Sequence, residues 1–251
     1  MNVQGLAAIV TGAASGLGEA TARHLAAQGA KVAVFDMNLE AAQKVASEIG
    51  GIAVECNVAD AESATKAFET AKAAHGTARI VVSCAGIAPA SKIVGRNGAH
   101  DLDLFAKVIN VNLIGTFNMT RLACADMLEL DPIDGERGVI INTASVAYAD
   151  GQIGQAAYAA SKGGVASLTL PVAREMAPKG IRVMTIAPGI MATPMLLGMP
   201  QEVQDALNAS VPMGRMGKPA EYAQLVNHIV ENGYLSGEVI RLDGVLRMAP
   251  K

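Results

Sequence analysis

Short apolar segments alternate with amphipathic segments along the whole chain. Seven of the apolar segments predict strands, at 7–11, 31–36, 52–56, 79–83, 139–144, 181–187 and 239–242. The segments between them predict helices, at 17–27, 39–49, 61–75, 102–130, 155–177 and 220–231. Strands that are apolar on both faces and separated by helices are typical of a parallel sheet covered on two sides. The pattern therefore predicts an α/β fold with a doubly wound, seven-stranded parallel sheet flanked by helices.

Two segments interrupt this alternation. Residues 87–101 are rich in Gly, Ala and Ser, and residues 189–218 contain three prolines and five methionines. Long loops in a compact domain are often functional, and Met adapts its shape to irregular apolar surfaces. We therefore expect residues 189–218 to form a lid over an apolar substrate, with an ordinary loop packed by Met as the alternative. The chain shows no internal repeat or linker, so residues 1–251 are predicted to form one domain.

The composition narrows the classes of partner. The chain has 251 residues, 51% of them hydrophobic, with a formal net charge of −3 and a charged fraction of 17%. This balance indicates neither a nucleic-acid-binding face nor a basic membrane-binding face, so small molecules or protein surfaces are the expected partners. The three cysteines lack paired spacing, and neither disulfides nor a metal site is predicted. With no membrane-span or leader pattern, we expect a cytoplasmic protein, an organelle matrix being the alternative.

A glycine-rich turn follows the first predicted strand. Residues 11–18 read TGAASGLG and lead directly into a helix, where backbone N–H groups can bind a pyrophosphate. Asp36 closes the second strand, at the position where a carboxylate can accept hydrogen bonds from an adenosine ribose. Its charge would repel a 2′-phosphate, so NAD is favoured over NADP. The alternative is that Asp36 or Asn38 only caps the next helix.

Tyr158 and Lys162 stand four residues apart in a predicted helix, which places them on one face. A neighbouring positive charge favours phenolate over phenol, so we expect Lys162 to lower the pKa of Tyr158 toward working pH. Tyr158 is then a candidate general acid and base. The alternative is an ordinary Tyr and Lys that share a helix face.

The chain resembles the classical short-chain dehydrogenases/reductases over essentially its whole length. The matching motifs are the 11–18 turn, Cys84-Ala85-Gly86, Asn112, Ser145, the Tyr158/Lys162 pair and Pro188-Gly189. It more closely resembles one branch of that family, the type II 3-hydroxyacyl-CoA dehydrogenases, whose members also oxidise 17β-hydroxysteroids and simple alcohols. Residues 137–147, 154–158, 180–189 and 237–244 carry this second resemblance.

The resemblance implies roles for individual residues. Ser145 would hydrogen-bond the substrate oxygen, Tyr158 would exchange a proton with it, and Lys162 would bind the nicotinamide ribose. Asn112 would hold the helix and the water that pass the proton outward. The implied substrate contacts are Ser145, Gln155 and Tyr158. The implied NAD contacts are Gly12, Ser15, Gly16, Leu17, Gly18, Asp36, Asn57, Val58, Cys84, Ala85, Gly86, Tyr158, Lys162, Pro188, Met191 and Thr193.

Three positions depart from the wider family's pattern. Ser83-Cys84 stands where that family usually has Asn-Asn, and only the Cys is shared with the more similar branch. Asn57 stands where an Asp usually meets the adenine amino group. An Asn carbonyl can accept the same hydrogen bond without the charge, so slightly weaker cofactor binding is expected.

The resulting hypothesis is an NAD-dependent oxidoreductase of fatty acid metabolism that interconverts a secondary alcohol and a ketone. The resemblance favours 3-hydroxyacyl-CoA and 3-oxoacyl-CoA as substrates, and Lys92, Arg96, Arg215 and Lys218 are candidates to meet CoA phosphates. One alternative is a dehydrogenase for steroids or other apolar alcohols. Another is a catalytically silent dinucleotide-binding scaffold. Asp36 disfavours reduction of acyl-carrier-protein esters, since those relatives mostly use NADP.

The predicted helix 155–177 is apolar or small almost all round. Such a helix must be buried on more than one side. One side can cover the sheet and another can meet a second subunit, so a homo-oligomer is expected. The family resemblance implies a tetramer.

Overall fold

The computed structural model describes residues 1–96 and 98–250, and a parallel sheet lies at its centre. The strands of this sheet are β1 (Ala7–Thr11), β2 (Lys31–Asp36), β3 (Ile52–Glu55), β4 (Ile80–Ser83), β7 (Gly138–Thr143), β8 (Ile181–Pro188) and β9 (Val239–Leu242). Their order is β3-β2-β1-β4-β7-β8-β9, and every neighbouring pair is parallel. The predicted fold class is confirmed, and strand ends differ from the predictions by one residue at most.

Helices cover both faces of the sheet. They are α1 (Gly16–Ala27), α2 (Leu39–Ile49), α3 (Ala61–His75), α4 (Leu102–Ile109), α5 (Gly115–Leu128), α6 (Ala156–Met176), α7 (Pro194–Leu197), α8 (Gln201–Ser210) and α9 (Pro219–Glu231). Helices α1, α2 and α9 pack on one face and α3, α5 and α6 on the other. Among the described residues, no helix combines the length and the apolar character needed to cross a membrane.

Successive strand residues enter two different cores. Val10 and Ile141 pack with α1, α2 and α9, whereas their neighbours Ile9 and Ile140 pack with α3, α5 and α6. Side chains of a strand point alternately to opposite faces, so a strand covered on both sides is apolar throughout. This explains why the strands appear in the sequence as continuous apolar runs.

Three predicted segments differ from the structure. The helix predicted at 102–130 is wrong as a single element, because a π-helical turn, Asn110–Ile114, separates α4 from α5. Residues 87–101 contain a small antiparallel hairpin, β5 (Val94–Gly95) and β6 (Gly98–Ala99). Strands of two residues have no measurable periodicity, so the sequence pattern misses them. Residues 189–218 contain α7 and α8.

The strand order creates a crevice. Strand β1 lies between β2 and β4, and the chain crosses the sheet in opposite directions on either side of this point. In open parallel sheets, ligands bind in the crevice outside the carboxyl ends of the strands at such a reversal. The residues that follow β1, β4, β7 and β8 are therefore placed along one edge of the sheet.

Candidate active site

The turn after β1 is too tight for side chains. Gly12 and Gly16 have φ angles of +61° and +57°, a region that favours glycine. A Cβ on Gly12 would lie 2.8 Å from the Cα of Ala85, and one on Gly18 would collide with the carbonyl oxygen of Gly12. Ser15 is the N-cap residue of α1, and its side chain makes no capping hydrogen bond. The turn is thus a cradle of backbone N–H groups at a helix N-terminus, the arrangement that suits a phosphate.

Asp36 is attached to this cradle. One carboxylate oxygen accepts a hydrogen bond of 3.0 Å from the backbone N–H of Ala14, and the other accepts one of 3.0 Å from Asn38. Asn38, whose side chain accepts from Ala41, caps α2, so Asp36 is not the cap. Each carboxylate oxygen retains a lone pair for a further donor such as a ribose hydroxyl. The glycine cradle and this carboxylate fit a dinucleotide.

Other predicted cofactor residues surround the same edge. Val58 is buried against Gly115, while the Asn57 side-chain oxygen accepts a hydrogen bond of 3.1 Å from the N–H of Ala59. One lone pair of the Asn57 oxygen remains for an adenine amino group. Of the remaining predicted contacts, Leu17 packs against the core in α1, Pro188 ends β8, and Met191 and Thr193 follow β8.

The base of the 189–218 segment approaches the glycine turn. The Cγ2 atom of Thr193 lies 3.5 Å from the position that a Cβ on Gly16 would occupy. Met191 is buried and pairs with Gly217 through a parallel β-bridge. The two ends of the segment are therefore joined beside the predicted cofactor cradle.

Ser145, Tyr158 and Lys162 meet at the carboxyl end of β7. Ser145 follows this strand and begins a short 3₁₀ turn, where its Oγ accepts a hydrogen bond of 3.2 Å from the N–H of Ala147. Lys162, in α6, is only 5% exposed, and its ammonium donates a hydrogen bond of 2.7 Å to the carbonyl oxygen of Thr143. The Lys162 Nζ lies 5.8 Å from the centroid of the Tyr158 ring. The predicted sharing of a helix face is confirmed.

The predicted direction of the Tyr158 pKa is wrong for the protein alone. Burial raises the pKa of Tyr158 above its ordinary value, and a hydrogen bond with Ser145 only partly opposes this effect. Burial also lowers the pKa of Lys162, to about 8. Removal from water disfavours the charged form of either group, and burial is the largest cause of both shifts. Spacing on a helix shows which groups meet but not how deeply they are buried.

Asn112 joins three parts of the site. It lies in the π-helical turn and is completely buried. Its side-chain oxygen accepts a hydrogen bond of 2.8 Å from the N–H of Ile87, and its nitrogen donates to the Ile87 carbonyl at 2.9 Å and to Ser161 Oγ at 3.0 Å. A Cβ on Gly86 would lie 3.2 Å from this oxygen. Asn112 thus connects the loop after β4 to α6, the helix of Tyr158.

A cavity of about 470 Å³ opens beside the loop that precedes α6. Gln155, a predicted substrate contact, lines it together with Lys92 and Ile93 from the segment before the hairpin. The loop is fastened from the far end of the chain, because Arg241 in β9 donates a hydrogen bond of 2.6 Å to the Asp150 carboxylate. The cavity therefore lies between the loop before α6 and the segment that contains the hairpin.

Two groups at the site were missed by the sequence analysis. The acceptor for Lys162 is the backbone carbonyl of Thr143, and a backbone atom leaves no trace in residue type. Ser161, the partner of Asn112, is a small residue next to Lys162 that nothing in its spacing distinguishes. The one signal for Thr143 was its spacing from Ser145, because residues two apart at a strand end lie on the same face of the strand.

Similarity to known proteins identifies the family. The model of the family "short chain dehydrogenase" matches residues 6–204. The chain belongs to the short-chain dehydrogenase family. It is 50% identical over 255 residues to the rat 3-hydroxyacyl-CoA dehydrogenase type-2, covering 99% of this chain and 98% of the relative. Identity to the human (3R)-3-hydroxyacyl-CoA dehydrogenase is 37% over 256 residues, covering 96% and 95%.

A solved structure supports the same assignment. The crystal structure of 3-hydroxyacyl-CoA dehydrogenase type-2 from Mycobacterium avium superposes with a TM-score of 0.93 at 42% sequence identity. The match covers 98% of this chain and 98% of that chain. The predicted resemblance, both to the wider family and to the type II branch, is confirmed.

Proposed function

We propose that this chain catalyses the NAD-dependent interconversion of 3-hydroxyacyl-CoA and 3-oxoacyl-CoA. The convergence of Ser145, Tyr158 and Lys162 at the end of β7, on the same sheet edge as the glycine cradle, is the observation that carries this proposal. The names of relatives of up to 50% identity support the choice of substrate.

The proposed residue roles account for the proton in alcohol oxidation. Bound NAD would supply the acceptor for a hydride, one proton with two electrons, from the carbon that carries the hydroxyl group. The Ser145 hydroxyl donates a hydrogen bond to the substrate oxygen and orients it. Tyr158, as phenolate, accepts the hydroxyl proton, and the Lys162 ammonium stabilises that phenolate. In the reverse direction Tyr158 returns the proton to the new alkoxide.

Asp36 supports NAD over NADP. Its carboxylate is held at the end of β2 by two backbone N–H groups, so it cannot turn away from a ligand without losing both hydrogen bonds. A 2′-phosphate placed there would meet this negative charge, whereas two ribose hydroxyls would donate to it.

Residues 189–218 are proposed as the substrate lid. Several of its apolar side chains are exposed, namely Met195, Leu197, Met199, Val203 and Met213. Arg215 is a poor candidate for binding CoA phosphates, because both of its terminal nitrogens are bonded to Glu221, at 2.9 and 2.6 Å. Lys92, Arg96 and Lys218 are exposed and remain candidates for that role.

The exposed apolar lid also favours a second candidate function, oxidation of steroids or other apolar alcohols. Initial rates with acetoacetyl-CoA and NADH, compared with a panel of hydroxysteroids and NAD, separate the two. We expect the CoA ester to be the better substrate by kcat/KM. Steroid turnover without CoA turnover would contradict the first proposal, and no turnover of any alcohol or ketone would favour the silent scaffold.

We also infer a homo-oligomer, and a tetramer from the resemblance. Large apolar side chains are exposed on and between α4, α5 and α6, namely Leu102, Ile114, Phe117, Leu128 and Leu170. Large apolar side chains that are exposed on neighbouring helices can be covered by a second subunit. Light scattering over a wide concentration range tests this inference, and a monomer at every concentration would contradict it. The cytoplasmic location stays a prediction.

A further inference from the structure

A closed ring of three polar side chains lies behind Lys162. The Tyr222 hydroxyl and Thr143 Oγ1 are 2.7 Å apart. Thr143 donates to the sulfur of Cys84 at 3.6 Å, and Cys84 donates back to the Tyr222 oxygen at 3.7 Å. With Tyr222 donating to Thr143, each of the three groups donates once and accepts once. The ring joins helix α9 to the ends of strands β4 and β7.

The Tyr222 hydroxyl is not explained by packing. Its side chain is 0% exposed and lies within the apolar core beneath α9, where Phe would fill nearly the same volume. Burying a hydroxyl group in such a place costs free energy unless it is hydrogen-bonded. Burial raises the pKa of Tyr222 well above its ordinary value, so the group stays a phenol that can donate. The hydroxyl is therefore not needed to fill space, since an apolar ring would pack equally well.

Thr143 connects this ring to Lys162. Its side chain belongs to the ring, while its carbonyl oxygen accepts the 2.7 Å hydrogen bond from the Lys162 ammonium. Two titratable groups lie near Lys162, namely Tyr158 from its own helix and Cys84 from the end of β4. Tyr222 of α9 contacts Cys84 and so lies behind it. Among the described residues no carboxylate contributes to the shift of the Lys162 pKa. The charge of the Lys162 ammonium therefore depends strongly on the position of the Thr143 carbonyl oxygen, because the ammonium has few other partners.

We propose that Tyr222 is a positioning residue for the dehydrogenase reaction: by closing the ring with Thr143 and Cys84, it fixes the Thr143 carbonyl that holds Lys162 beside Tyr158. The inference rests on the proposed role of Lys162 and not on the identity of the substrate. Without the Tyr222 hydroxyl, the Thr143 side chain can turn to other rotamers and its carbonyl binds the ammonium less well. Lys162 then carries less charge, and the Tyr158 phenolate is less stabilised.

The Tyr222→Phe variant tests this role through the pH dependence of alcohol oxidation. We expect the midpoint of the kcat/KM profile to move to higher pH by roughly 0.5 to 1 unit, with kcat lowered about 5- to 10-fold. The KM of the alcohol should change less than twofold, since Tyr222 lies behind the site. Any secondary alcohol that the wild type oxidises serves, so failure with CoA esters contradicts only the proposed substrate.

Thr169→Val is the matched control. The Thr169 and Thr185 hydroxyls form a buried pair at 2.6 Å, and Thr169 lies two helical turns beyond Lys162. Its loss should lower the melting temperature much as Tyr222→Phe does and leave the pH midpoint in place. An unshifted midpoint in Tyr222→Phe, or an equal shift in Thr169→Val, would overturn the proposal. If Tyr222→Phe does not fold, Thr143→Val breaks the same ring and should give the same shift.

Discussion

The Lys162 ammonium lies over the Tyr158 ring, 5.8 Å from its centroid, while its hydrogen bond goes to the carbonyl oxygen of Thr143. A cation over an aromatic face is attracted by the ring, and the attraction increases when water is excluded. Burial raises the pKa of Tyr158 and lowers the pKa of Lys162, so the neutral form of each side chain is favoured. The pair therefore depends on its surroundings for its charge, and its behaviour should respond to small changes around it.

Removal of the Tyr158 hydroxyl should nearly abolish turnover. Because this group exchanges the substrate proton, we expect Tyr158→Phe to lower kcat by roughly 10²- to 10⁴-fold, the usual size of general acid–base catalysis. NAD affinity, measured by calorimetry, should change little because the glycine cradle is intact. Tyr234→Phe is the control, since Tyr234 is fully exposed. An active Tyr158→Phe enzyme would disprove the assignment of Tyr158 as the group that exchanges the substrate proton.

Lys162 should make stability depend on pH in the cofactor-free protein. Folding lowers its pKa from 10.5 to about 8, so between these values the unfolded chain binds a proton that the folded chain has released. Stability from this group therefore rises with pH across that window, and below pH 8 the full penalty, about 3 kcal/mol, is present. Lys162→Met removes the dependence.

Urea unfolding of both proteins from pH 7 to 9.5 measures this effect. The wild type should gain stability relative to Lys162→Met as the pH rises above 8, and other titrating groups cancel in the difference. A difference that stays constant with pH would show that the Lys162 pKa is not lowered by folding.

Neutralising Asp36 should weaken the discrimination between cofactors. Asp36→Asn keeps one acceptor for the N–H of Ala14 but removes the charge and one charge-assisted hydrogen bond of about 1.5–3 kcal/mol. We expect the preference for NADH over NADPH, as a ratio of kcat/KM values, to fall roughly 10- to 100-fold. Asp126→Asn, the same charge change in α5, should leave the ratio unaltered. An unchanged ratio in Asp36→Asn would refute this account of selectivity.

Adding a methyl group at Gly86, as in Gly86→Ala, should lower catalytic activity. A Cβ there would lie 3.2 Å from the side-chain oxygen of Asn112, so this amide must shift by a few tenths of an ångström, while Lys162 Nζ, at 3.6 Å, would be in ordinary contact. Small displacements of catalytic groups are costly, and we expect Gly86→Ala to lower kcat about 10-fold. Gly163→Ala in α6 meets no atom closer than 4.0 Å and should retain full activity. Equal activity of the two variants would contradict the prediction.

Sequence patterns predicted the sheet and most of the site because both depend on local rules. Ile9 and Val10 are apolar because each faces a different core, and Tyr158 and Lys162 meet because they are four residues apart in a helix. The remainder depends on tertiary packing. The sign of the Tyr158 pKa shift follows from burial by distant segments, and the Thr143 carbonyl carries no signal in the sequence.

The π-helical turn illustrates the same limit. Its sequence is that of an ordinary α-helix. The helix changes to π-helical geometry at Asn110–Ile114, the segment in which Asn112 hydrogen-bonds to the backbone of Ile87 and to Ser161. Such turns often occur at functional sites in helices. The family resemblance identified Asn112 as important, but the backbone geometry around it became visible only in the folded chain.

The hydrogen bond between Arg241 and Asp150 has a consequence for biosynthesis. During translation, every residue proposed for catalysis leaves the ribosome well before Arg241 does, and β9 cannot pair with β8 until that later stretch emerges. Parallel sheets rely on such non-local pairing, which slows folding and leaves an open strand edge in the meantime. We therefore expect the glycine cradle to form early in the nascent chain. The loop that contains Asp150 and precedes α6 should be fixed last.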